Sequence, residues 1–291
     1  MKAHGTVIRR LGTARDARRT TLQRKPHVKG TGLGLKRTDG ALTREPALVV
    51  IVDAKKPISK LTRQERIPSF VKLDGRTIRT DVLQMSRLHK QAAFCSDGYH
   101  QGIVSAFANI DGTAYGITCA HCLEGESSDL GEIPISVYDY AKNAYAVVGQ
   151  SGFRFVSPGS GSIEDYGFSD IGVFQIQDKH AFKLVDGARP MKLRAPSVGM
   201  RVTGVSAHGT IRGTIDLVAV EAYGCYVDAL IAVDGAGTFR GDSGMLWTDA
   251  NGDGICIHAM GSGKGQTGSR YSAAMFARRM SEFLEMEFLR T

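Results

Sequence analysis

The chain has 291 residues, 42% of them hydrophobic and 8% aromatic, which is enough apolar mass to fill a core and excludes both a short peptide and a fully disordered tail. Its formal charge of +8 is unevenly distributed. Residues 1–90 carry 22 Lys and Arg against 7 Asp and Glu, a surplus of +15, and the remainder sums to −7. Two regions of different surface chemistry are expected.

No run of about 18 apolar residues is present, so neither a spanning helix nor a membrane partner is expected. The Arg-rich start, Met1 to Arg19, lacks the apolar stretch of a secretory signal, and its apolar face is too thin for an organelle transit peptide. The expected compartment is the cytoplasm. Five cysteines, an odd number, fit reduced thiols better than a disulfide framework. Cys119 and Cys122 form a CxxC, but there is no second one and Cys225 and Cys256 lie far apart, so no zinc site is expected.

In chain order, residues 1–28 are basic and poor in large apolar groups, which predicts a flexible arm unable to offset its ordering entropy. Residues 29–90 read as a small α+β appendage, with strands at 30–35, 47–52 and 75–83 and a short helix at 59–66. Gly30, Gly32 and Gly34 sit in a strand pattern, open no helix and lack the full spacing of a dinucleotide loop, so they read as strand or turn glycines. From about Ser96, short β runs recur with Gly, Asn and Asp between them, at 102–108, 114–118, 133–137, 144–148, 171–176, 201–205, 214–220, 225–231, 245–248 and 254–259. That spacing predicts an all-β domain of sandwich or barrel type over 91–291, divided near residue 188. Residues 273–289 place Phe276, Met280, Phe283, Leu284 and Phe288 on one helical stripe, which predicts a C-terminal helix packed on the β domain.

Three segments of the β domain carry reactive chemistry: Thr118-Cys-Ala-His-Cys122, Ser169-Asp-Ile-Gly-Val173 and Arg240-Gly-Asp-Ser-Gly244. A serine hydroxyl is a poor nucleophile until an imidazole takes its proton, and the imidazole needs a carboxylate on its other nitrogen. Glycines around the serine let backbone N–H groups turn toward a developing oxyanion.

In the order His, Asp, Ser, these segments resemble the trypsin/chymotrypsin-like serine peptidases. Gly-Asp-Ser-Gly at 241–244 is that family's nucleophile motif, Thr-Cys-Ala-His-Cys is similar to its Thr-Ala-Ala-His-Cys, and Asp170-Ile-Gly-Val is similar to its Asp-Ile-Ala-Leu. The resemblance, which spans residues 102–289, implies a mostly β, chymotrypsin-like double antiparallel barrel with a C-terminal helix. It implies a hydrolase without cofactor or metal, in which His121 is general base and then acid, Asp170 orients it, and Ser243 attacks the carbonyl. The N–H groups of Gly241 and Ser243 would form the oxyanion hole. Asp165 competes with Asp170 but lacks the following β run.

The departures from the family are as informative. No Arg-Ile-Val-Gly-Gly segment precedes the β domain, so no new N-terminal ammonium can pair with Asp242, and an internal donor or a rearrangement on partner binding must neutralise it. The family's disulfides are missing, in keeping with the cytoplasm. The position that holds an Asp for Lys and Arg specificity is Gly237, with Asp234 out of register. His258 stands three residues before Gly261, similar to the Gly-x-His-x-x-Gly of viral 3C-like and glutamyl endopeptidases, which implies a preference for Glu or Gln at P1. A core histidine on a strand is the competing reading. Asp249-Ala-Asn-Gly-Asp-Gly254 matches half of an EF-hand loop, but Met260 occupies the place of the bidentate Glu, so a hairpin turn is expected.

The expected partners are a protein or peptide substrate and an activating or recruiting protein. A second function class remains open: a peptidase-fold binding module whose basic residues 1–90 take non-specific nucleic acid or an acidic protein. Phe70 is the single aromatic there and no helix-turn-helix or finger spacing is visible, so that contact would be electrostatic.

Overall fold

The computed structural model describes residues 2–90, 93–94, 100–104, 106–123, 134–139, 144–157, 169–177, 189–206, 208–262 and 270–290. Asp165 and the expected boundary near residue 188 lie outside the described residues.

The chain opens with helix α1 (Lys2–Gln23), followed by β1 (Val28–Thr38) and β2 (Ala41–Val52), a 3-10 turn at Ile58–Lys60, β3 (Phe70–Leu73), β4 (Arg76–Gln84) and β5 (Leu88–Lys90). A short ladder of β6 (Ala93–Phe94) and β7 (His100–Gln101) leads into β8 (Ala106–Ile110), β9 (Thr113–Thr118), β10 (Pro134–Asp139), β11 (Ala144–Ser157) and β12 (Ser169–Ile176). The remainder comprises β13 (Arg189–Pro190), β14 (Arg201–Ser206), β15 (Gly209–Ala222), β16 (Cys225–Val233), β17 (Leu246–Thr248), β18 (Gly254–Ser262), β19 (Tyr271–Phe276), α2 (Ala277–Leu284) and β20 (Phe288–Arg290). Three hairpins turn on Asp-Gly pairs, at 39–40, 74–75 and 111–112, where both residues have positive φ. This is the two-residue turn whose twist matches the flanking strands.

Two β bodies result. Strands β14, β17, β18, β19, β16 and β15 pair in that order and β14 pairs back with β15, which closes a six-stranded antiparallel barrel among the described residues. Strands β10, β11, β12, β9, β8, β20 and β13 form a second antiparallel sheet that contains the His and Asp segments. A buried cluster joins the two, with Ala106, Ile117, Ile171 and Phe288 packed alongside Leu217, Leu230, Ile257 and Met275. The fold is mostly β with few helices, in agreement with the expected class. No helix among the described residues is long and apolar enough to cross a membrane.

Three expectations are corrected. The arm of residues 1–28 is helical from Lys2 to Gln23, because tertiary partners offset the ordering entropy that its own composition cannot. Leu11, Ala14 and Leu22 are buried against the strands that follow. Arg15 is fully buried and donates to the Ala219 carbonyl at 3.1 Å, and Arg19 and Gln23 both bond Glu221. The appendage is not separate either: β1 pairs with β15, so β1, β2, β4 and β3 extend the sheet of the closed barrel. Gly30 permits that approach, since a Cβ there would fall 1.8 Å from the Glu221 carbonyl oxygen. The helix expected at 59–66 is reduced to the 3-10 turn, none of whose residues is buried.

The C-terminal helix is shorter than its periodicity predicts. Residues 271–276 are strand, held between β16 and β18. The helix ends at Glu285, which adopts the left-handed conformation at φ 53°, and Phe288 then pairs with Ala108 of β8. The strand pairings on either side outweigh the helical stripe.

Candidate active site

His121 lies on a 3-10 turn, Ala120–Cys122, that directly follows β9. Asp170 is the second residue of β12, which pairs with β9, so the ladder between these strands brings the carboxylate to the imidazole. Asp170 Oδ1 accepts from the His121 backbone N–H at 3.0 Å, and Oδ2 hydrogen-bonds His121 Nδ1. Ser243 arrives from the other body, on the turn before β17. Its Oγ is 2.8 Å from His121 Nε2 and 3.0 Å from the Ala259 carbonyl oxygen on β18. All three side chains are buried.

The turn that carries Ser243 is specified locally. Gly241 has φ 97° and Gly244 φ 92°, a region that side-chain-bearing residues rarely adopt. Space is excluded as well at Gly244, where a Cβ would fall 2.0 Å from the Ile103 carbonyl oxygen and 2.3 Å from Thr118 Oγ1. The turn is tied down on both sides: Gly244 N–H donates to the His258 carbonyl at 2.8 Å, and the Ser243 carbonyl accepts from Ile103 N–H at 2.6 Å.

The electrostatics follow from burial and charge. Burial pulls the His121 imidazole down, but Asp170 and Cys122 outweigh it and raise its pKa to about 9. Cys119, against burial and with the help of His121, lowers Cys122 to about 6. Cys119 itself is pushed up, chiefly by burial. Cys119, His121 and Asp170 hold ligand-type atoms within 4.8 Å of one another. His121 and Asp170 spend theirs on each other, so the set is a hydrogen-bonded pair with a neighbouring thiol rather than an open metal centre.

Asp242 is also buried. Burial raises its pKa, opposed by the Phe239 N–H, which donates to Oδ2 at 2.8 Å, and by His208 and Ser206 beside it. Asp242 Oδ2 thus has a backbone amide as its donor, with a hydroxyl and an imidazole nearby, whereas Oδ1 is buried without a hydrogen-bond partner among the described residues. Gly237 has φ 89°, and Asp234 pairs with Arg201 at 2.6 Å on the surface, away from the role of a pocket acid. The Asp249 turn joins β17 to β18, and its carboxylate accepts from the N–H groups of Asn251 and Asp253 at 2.8 and 3.0 Å.

His258 lies on β18, fully buried, with burial and then the His121 charge lowering its pKa to about 3. Its Nδ1 is 2.6 Å from Ser272 Oγ, which in turn accepts from Trp247 Nε1–H at 3.1 Å. Indole is a donor only, so Ser272 Oγ accepts from Trp247 and shares its remaining hydrogen-bonding capacity with the neutral His258 ring. Neither Ser272 nor Trp247 is legible as a site residue in sequence, because nothing local links 247, 258 and 272.

No family model and no curated relative matches the chain. Among solved structures it is similar to a glutamic acid specific serine protease reported to use a histidine triad in substrate binding, with 16% identity over 69% of this chain and 96% of that one and a TM-score of 0.43. It is similar also to an alpha-lytic protease homologue, N4, at 16% identity over 68% and 96% and TM-score 0.42. Thermobifida fusca Protease A matches at 14% identity over 69% and 96%, again at 0.42. Likeness at that level carries no argument; the strand pairing itself shows a mostly β fold with a closed six-stranded antiparallel barrel beside a seven-stranded antiparallel sheet, and of the two expected barrels only the first closes among the described residues.

Proposed function

We infer that this protein is a serine peptidase that hydrolyses peptide bonds through an acyl-enzyme on Ser243. The observation that supports this reading above all others is the continuous chain from Asp170 through His121 to Ser243, with Nε2 at 2.8 Å from the hydroxyl oxygen. In this reading His121 accepts the Ser243 proton as Oγ attacks the substrate carbonyl carbon, and Asp170 holds the Nδ1–H tautomer and stabilises the imidazolium. His121 then gives the proton to the departing amine, and water repeats the sequence in reverse to free the acid. The N–H groups of Gly241 and Ser243 flank the nucleophile and receive the oxyanion.

The substrate class follows from His258. A neutral imidazole carries a single N–H donor, a chemistry that suits the side-chain oxygen of Glu or Gln at P1 and offers no counter-charge for Lys or Arg. The experiment is labelling of the purified protein with a fluorophosphonate probe, followed by peptide mapping and cleavage of a peptide library. Label on Ser243 with Glu or Gln selected at P1 is expected. Absence of label from Ser243 overturns the peptidase reading, and selection of Arg, Lys or a large aromatic overturns the P1 assignment alone.

A further inference from the structure

The CxxC supplies neither nucleophile nor acid nor base in the chemistry above, yet its two cysteines flank His121 in sequence and Cys122 helps to raise the imidazole's pKa. The Cys122 N–H donates to the Cys119 carbonyl at 3.0 Å, closing a four-residue turn. Such a turn holds its end Cα atoms within about 7 Å, the reach of a disulfide. The two side chains are close enough for Cys119 to help lower the Cys122 pKa. Both are free thiols, and both abut the nucleophile's surroundings: Cys119 Sγ is 3.2 Å from the His258 carbonyl oxygen and Cys122 Sγ is 3.8 Å from that of Ser243.

The geometry points to a thiol modification site on the His121 turn: Cys119 and Cys122 close reversibly to a disulfide in the presence of a peroxide, and closure disables the catalytic imidazole. The two cysteines have distinct parts. Cys122 keeps 9% of its surface and has thiolate character, so it attacks the peroxide; Cys119, with no exposed surface, resolves. The Cys122 thiolate attacks one peroxide oxygen, the O–O bond breaks, and hydroxide leaves to be protonated by solvent, giving the sulfenic acid. The Cys119 sulfur then attacks the Cys122 sulfur, the S–O bond breaks, and water departs with the Cys119 proton. Two thiols lose two electrons and one peroxide becomes two waters.

Drawing the sulfurs together to about 2.05 Å breaks the contacts with the His258 and Ser243 carbonyls and twists the turn that carries His121. A misplacement of about 1 Å at a reacting group lowers rates by about a hundredfold. The effect on activity rests on the peptidase reading; the disulfide does not.

The test treats reduced full-length protein with hydrogen peroxide and follows three readouts: intact mass with peptide mapping, fluorophosphonate labelling of Ser243, and the low-field proton NMR signal of the His121–Asp170 hydrogen bond. Expected are a Cys119–Cys122 cross-linked peptide, a labelling rate at least tenfold lower, a lost or shifted low-field signal, and recovery of all three with dithiothreitol. Cys119→Ser and, independently, Cys119→Ala should form no cross-link and should stop at a Cys122 sulfenic acid that dimedone traps. A failure to cross-link the two cysteines overturns the proposal, as does cross-linking with labelling and low-field signal unchanged. Absence of dimedone-trapped Cys122 from both variants overturns it too. If even the reduced protein takes no label, the peptidase reading fails, and the cross-link with its low-field signal still decides the modification site.

Discussion

His121 Nε2 stands 2.8 Å from Ser243 Oγ although the two residues are 122 positions apart and belong to different β bodies. The contact exists because two tight turns, one after β9 and one before β17, are pressed together by the Ile103 to Ser243 backbone bond and by the Thr118 hydroxyl, which donates to the Ile103 carbonyl at 2.8 Å. This arrangement gives the site its rigidity and sets the behaviour expected of variants.

Replacing Ser243 by Ala removes the nucleophile and little else. Turnover is expected to fall by about four orders of magnitude or more, with circular dichroism and thermal midpoint near wild type. Steady-state cleavage of a P1-Glu peptide reads the first, and an active, folded Ser243→Ala protein would refute the assigned nucleophile.

The pH profile should carry an acid limb displaced to high pH. Only the neutral imidazole can take the Ser243 proton, and His121 is raised to about 9, so kcat/KM should still be climbing above pH 7. Cys122 contributes to that rise; Cys122→Ser should move the limb downward. A limb at the ordinary histidine value in the wild type, unmoved in the variant, contradicts the electrostatic account.

Ser272→Ala leaves the Trp247 N–H and His258 Nδ1 without their shared partner in a buried site. A loss of about 1–3 kcal/mol in chemical unfolding is expected. Selection of Glu or Gln over Ala at P1 should weaken, because His258 loses the hydroxyl that orients its ring. Ser272→Thr, which keeps the hydroxyl, should restore the selectivity, and a uniform fall across all P1 residues would point to a purely structural role.

The amino-terminal helix is expected to be part of the folded unit. Arg15→Ala removes the donor to the Ala219 carbonyl and should cost about 1–3 kcal/mol in urea unfolding. Gly30→Ala, whose added Cβ meets the Glu221 carbonyl oxygen at 1.8 Å, should cost at least as much by forcing β1 away from β15. Wild-type midpoints in both would mean that α1 and β1 do not support the barrel.

The sequence by itself pointed to the three segments that meet around Ser243 and to most of the strands. Gly241, Ser243 and Gly244 specify their turn through local backbone freedom, and His121 and Asp170 each follow or begin a β run whose alternation is readable in isolation. The tertiary structure alone decided what offsets local deficits. Residues 2–23 are too polar to order unaided, and become helix because β15 supplies acceptors for Arg15, Arg19 and Gln23. Residues 271–276 fit a helical stripe and become strand because β16 and β18 offer open edges on both sides. The Trp247, Ser272 and His258 relay and the environment of Cys119 likewise come into being only when distant strands meet, since a proton's placement and a thiol's charge depend on neighbours that no local pattern encodes.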